Sequence, residues 1–138
     1  MKRLTYLVWV FIVMSCSDSP ESYIEYISGY WEIEKVILVD GTEREYTFNE
    51  SVDYFSISDS LFGFRKKLKP NFDGKFSTSK NTESLKILIE NDSLNIYYTT
   101  PFDSWKETVL FANEEKLKII NTNKNVYLYK RFIPLKLE

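Results

Sequence analysis

From residue 30 to residue 133 apolar side chains recur at every second position. Turn residues interrupt them roughly every eight to twelve residues, the spacing of an antiparallel β meander. The alternating segments are nine, 30–39, 52–58, 61–68, 75–79, 84–90, 93–99, 104–111, 116–121 and 125–133, and the sheet expected from them has eight strands. Asp40-Gly41, Asp73-Gly74 and Asn91-Asp92 supply turns, and Pro70 and Pro101 break runs because proline cannot donate to a ladder. The clearest hairpin sets Leu85, Ile87 and Ile89 beside Leu94, Ile96 and Tyr98, while residues 45–48 in the polar loop 42–51 offer extra pairing. A flat sheet of this size would expose two edges and half its apolar residues. The chain is therefore expected to close into an all-β, eight-stranded antiparallel up-and-down barrel with an aromatic-rich core.

Ahead of the strands the period changes. Ser19 is placed to cap a helix, Pro20 suits its first turn, Glu21 favours its positive end, and Gly29 supplies a left-handed stop. Tyr23, Ile24 and Ile27 then form one apolar face, so a short helix of two turns is expected, laid against the barrel.

The first sixteen residues obey a third pattern. Lys2 and Arg3 precede an apolar run from Leu4 to Met14, then Ser15-Cys16, then the polar run Ser17-Asp18-Ser19-Pro20-Glu21. This stretch of eleven residues, in which only Thr5 and Tyr6 are at all polar, falls well short of the roughly 20 that a membrane-crossing helix needs and fits the middle of an export signal. Val13-Met14-Ser15-Cys16 resembles the lipobox of bacterial lipoproteins, and the resemblance implies that Cys16 is acylated after residues 1–15 are cut away. The expected divisions are thus a signal peptide (1–15), an acylated cysteine with its tether (16–22) and the barrel domain (23–138). More than one acyl chain on Cys16 would hold the protein on a membrane durably. The acid-rich start after Cys16 looks like that of Bacteroidetes lipoproteins, which implies the cell envelope and the outer membrane.

Composition narrows the chemistry. With no His anywhere, imidazole acid/base work and nearly all zinc-enzyme geometries drop out. Loss of Lys2 and Arg3 with the signal would leave 16 basic against 20 acidic residues, which disfavours duplex nucleic acid as a partner. A single Cys in an exported chain has no disulfide partner within it.

Gly29-Tyr30-Trp31, opening the first strand after a short helix, resembles the Gly-x-Trp opening of the lipocalin superfamily. That resemblance spans about residues 20–133 and is nearest to small lipocalin-like lipoproteins of Bacteroidetes, with Asp73-Gly74 and Tyr129-Lys130-Arg131 in corresponding places. It implies that Gly29, Trp31 and Arg131 close one end of the barrel, Arg131 packing over the Trp31 ring, with Lys130 as the rival.

The paired carboxylates Glu32/Glu34, Glu43/Glu45 and Glu114/Glu115 read as solvated surface, and Asp40, Asp73, Asp92 and Asp103 read as turn formers. The basic run 65–69 reads as a strand edge kept soluble by charge, with contact to anionic lipid headgroups or an acidic partner as the alternative. Tyr97, Trp105, Glu107 and Tyr129 are the candidate ligand contacts. If Trp105, Glu107, Val109 and Phe111 face inward, Glu107 is a charge inside the barrel that needs a partner. The functional expectation is a monomeric, membrane-anchored protein, not an enzyme, without metal or cofactor, that takes a small hydrophobic ligand into its barrel. A filled barrel whose loops contact protein or glycan is the alternative.

Overall fold

The structure, a computed structural model, describes residues 18–134. The signal segment and Cys16 lie outside the described residues. Two turns of helix open the described chain, a 3-10 turn (Pro20–Tyr23) running into α1 (Ile24–Ile27). Ser19 does not cap it with its side chain; the Ser22 hydroxyl instead donates to the Ser19 carbonyl at 2.6 Å. Nine strands follow: β1 (Gly29–Ile37), β2 (Glu43–Glu45), β3 (Val52–Ile57), β4 (Phe62–Pro70), β5 (Phe76–Glu90), β6 (Ser93–Thr99), β7 (Ser104–Ala112), β8 (Lys116–Asn121) and β9 (Val126–Arg131). Every neighbouring pair is antiparallel, and β1 pairs with both β3 and β9, so eight strands close a barrel in sequence order.

The ninth strand comes from the loop 42–51. There β1 leaves β3 after Trp31 and takes β2 as its neighbour, Lys35 opposite Glu45. In the opposite sense, segments 75–79 and 84–90 are one continuous strand, β5, whose register against β4 shifts between Lys66 and Leu68. The polar stretch 80–83 looked like a break because nothing in an alternating pattern distinguishes a bent strand from two short ones.

Two further bulges decide which side chains face inward. Register shifts on β1 between Ile33 and Lys35, so Val36 joins Trp31 and Ile33 on the inner face and Lys35 turns out to Glu43. On β7 the shift falls between Val109 and Phe111; Ala112 becomes buried opposite Leu117 while Phe111 moves outward to meet Tyr23. The expected shared face of Trp105, Glu107, Val109 and Phe111 therefore holds only as far as Val109, because one extra residue in a strand reverses every side chain after it.

The helical segment and the turns 58–61, 91–92 and 113–115 gather at one end of the barrel, and that end is filled. Ile27, Trp31, Phe55, Leu94, Ile96, Leu117 and Ile119 are all buried there or just above, each contributing about 1.5 to 3 kcal/mol by leaving water. Trp31 donates its indole N–H to the Ile27 carbonyl at 2.8 Å, and the Arg131 guanidinium lies 3.8 Å from the centre of its ring. Arg131 also donates to the carbonyls of Tyr26, Ser28 and Glu114 at 2.7 to 2.9 Å, tying helix, β1 and the β7–β8 turn together. Gly29, at φ +126°, leaves the space this requires: a Cβ there would sit 2.5 Å from Nη1 of Arg131. Lys130 faces the other way and pairs with Glu32 at 3.5 Å.

Candidate functional site

The opposite end, reached by the connections 38–42, 46–51, 71–75, 100–103 and 122–125, is open. Alternation carries side chains from five strands into it. On β3, Asp53 precedes the buried Phe55 by one full period. On β4, Arg65 and Lys67 follow Gly63, which lies against β3 so closely that a Cβ would come within 1.8 Å of the Ser56 carbonyl oxygen. β5 adds Glu83 opposite Arg65, β7 adds Glu107, and β9 adds Tyr127 and Tyr129. Together these line a cup of about 460 Å³. A second lobe of about 250 Å³ opens where β1 and β3 part, and shares Asp53, Lys67, Tyr127 and Tyr129 with the first while adding Trp31, Tyr46 and Glu50.

Arg65 organises the floor of the cup. Its Nε donates to Glu83 at 2.5 Å, and its Nη1 donates to Glu107 at 3.0 Å and to the Tyr98 hydroxyl at 3.3 Å. Its plane also covers the Tyr98 ring at 4.2 Å, and Trp105 stacks on the far part of this arrangement, 5.3 Å from Tyr98. The ion pairs are well shielded, with side-chain exposures of 15% for Arg65 and 10% for Glu107. Burial pulls the Arg65 pKa down, but Tyr98, Glu83 and Glu107 outweigh it and hold that pKa above its usual value. Removing one partner of such a buried pair costs about 3 to 5 kcal/mol by leaving the other charge uncompensated.

Around this cluster burial works on the remaining titratable groups. It pushes the hydroxyls of Tyr98 and Tyr129 well above the ordinary tyrosine range, so both stay neutral donors. It also raises the carboxyl of Asp53, against the pull of Arg65 and Lys67.

Of the four candidate contacts, Glu107 and Tyr129 meet in the cup. Trp105 stands behind it, against Tyr98. Tyr97 is on the outer wall, where its hydroxyl donates to Glu90, and the inward neighbour is Tyr98. The partner that Glu107 needs is Arg65, so the start of the basic run is a barrel-lining charge and β4 is an interior strand of the sheet, not a soluble edge. Asp53, Arg65 and Glu83 were missed as site residues. Their signal was present in the alternation: each lies two residues from an inward side chain or opposite one. The expected greasy centre holds for the closed end alone; the open end is lined by charges and hydroxyls.

A sequence profile described as a lipocalin-like domain matches residues 27–119. Among solved structures, a lipocalin-like protein from Bacteroides uniformis superposes with a TM-score of 0.48 at 11% identity, over 77% of this chain and 98% of that one. No curated protein matches the chain.

Proposed function

The chain belongs to the lipocalin-like domain family, and from that premise we propose that it is a binding protein whose open barrel end takes a small polar molecule. The observation that carries this reading is the cup of about 460 Å³, lined by the Arg65 ion-pair cluster, Asp53 and two tyrosines. A cavity with few, fixed and convergent polar groups suits orientation of a ligand, whereas an apolar molecule would strip water from five charges without replacing their hydrogen bonds. The small hydrophobic ligand expected from the sequence is therefore replaced in this proposal by a polar one. Chemical-shift mapping of the labelled protein against a panel of polar metabolites tests it. Shifts concentrated at Asp53, Arg65, Glu107 and Tyr129 are expected; shifts confined to the outer wall would count against the cup.

The same proposal keeps the protein on a membrane through an acylated Cys16, on the strength of Val13-Met14-Ser15-Cys16. Asp18 and Ser19 border one surface pocket with Asp92 and Ser93 at the closed end, so a tether leaving from there would turn the mouth away from the bilayer. Metabolic labelling with palmitate should mark the wild type and not Cys16→Ser; an unlabelled wild type would contradict the anchor.

A second reading, docking of another protein on the rim, is favoured by Phe48, Phe72 and Phe102. Each sits on a different open-end loop and is 84%, 103% and 97% exposed.

A further inference from the structure

The charge that a ligand must carry follows from how the charges of the cup are already spent. Arg65 is consumed by Glu83 and Glu107. What remains is Asp53 on the wall shared by both lobes, Glu50 on the lip of the smaller one, and Lys67 on the strand beside Asp53. Among the described residues neither Asp53 nor Glu50 has a cation within 4.0 Å; the ion pairs of this chain lie elsewhere. Lys67 stands directly opposite Asp53 in the β3–β4 register but makes no ion pair with it within that distance, so Asp53 has a cationic neighbour and no contacting counter-ion. Over both lobes, four carboxylates stand against two cations. The field inside is negative, and walls of low dielectric sharpen it.

The aromatic walls point the same way. Tyr127 and Tyr129 border both lobes, and Trp31 and Tyr46 border the smaller one. Ring faces attract cations and do nothing for anions. Among the described residues no three acidic side chains converge closely enough to hold a metal ion, and the space is many times larger than one ion requires. We propose that the cup selects small organic cations, amines carried as ammonium ions, with Asp53 as counter-ion and Tyr127 and Tyr129 as the flanking rings. This rests on the cup being the ligand site and adds the class of ligand. An ammonium group supplies donors to a carboxylate that has no ion-pair partner within 4.0 Å among the described residues, and its hydrocarbon part lies against the rings.

Calorimetric titration of the full-length protein with three probes of equal carbon count, putrescine, butanediol and succinate, tests the class, with amide shifts recorded alongside. Putrescine should bind saturably with shifts at Asp53 and Tyr129, and about tenfold or more weaker to Asp53→Asn. Butanediol and succinate should not bind. Succinate or butanediol binding as tightly as putrescine, with shifts in the cup, would overturn the cationic class and leave the cup standing. Putrescine shifts confined to the outer wall would overturn both. Failure of all three probes at millimolar concentration, or undiminished putrescine binding by Asp53→Asn, would overturn the class.

Discussion

Asp53 is a carboxyl kept where its charge is poorly served. Burial raises its pKa more than Arg65 and Lys67 lower it, so the native state holds its proton more tightly than the unfolded chain does. For an acid shifted upward, the sign of the linkage is adverse to folding. The contribution of Asp53 is most favourable when pH is below the ordinary aspartate range and declines as pH rises through the elevated native pKa. Asp53→Asn should therefore melt at a higher temperature than wild type at neutral pH. That advantage should shrink as the pH falls into the ordinary aspartate range, where the wild-type carboxyl is protonated in both states. Thermal melts across that window check it, and a variant less stable than wild type at neutral pH would contradict it. A residue that weakens the fold yet lines the cavity is what a binding role leaves behind. Glu107, unlike Asp53, has a contacting counter-ion, Arg65 at 3.0 Å.

At the scale of elements, the alternating pattern made β1, β3, β4 and β6 to β9 legible and gave β5 as two pieces, since period two with turn residues between is a direct consequence of a barrel with one face inside. Bulges escaped it. Whether Lys35 or Val36 faces inward depends on one extra residue near Glu34, and composition carries no trace of it. The helical segment was legible from Pro20, its apolar face and Gly29, although its cap was not, because the Ser19 side chain makes no capping bond. The clamp of Arg131 on Trp31 joins the first and last strands to that segment. Replacing Arg131 with Met would remove a cation–π contact and three charged donors to backbone carbonyls. The expected loss is about 2 to 4 kcal/mol in denaturant unfolding. A loss below a few tenths of a kcal/mol would mean that the clamp is ornamental.

For the whole molecule, the barrel is divided along its axis into a solid end and a wet end. Aromatic content pointed to the solid half and, read alone, suggested a greasy interior throughout. The wet half was harder to see, because Asp53, Arg65 and Glu83 lie far apart in the chain and each passes for surface charge until the strands are registered. Only Glu107, flanked by Trp105 and Val109, betrayed itself. Titration of the purified protein with a fluorescent long-chain fatty acid puts the polar cup to its most direct test. The charged lining predicts no saturable uptake. Stoichiometric uptake, displaced by unlabelled fatty acid and accompanied by shifts at Asp53, Arg65 and Tyr129, would contradict it.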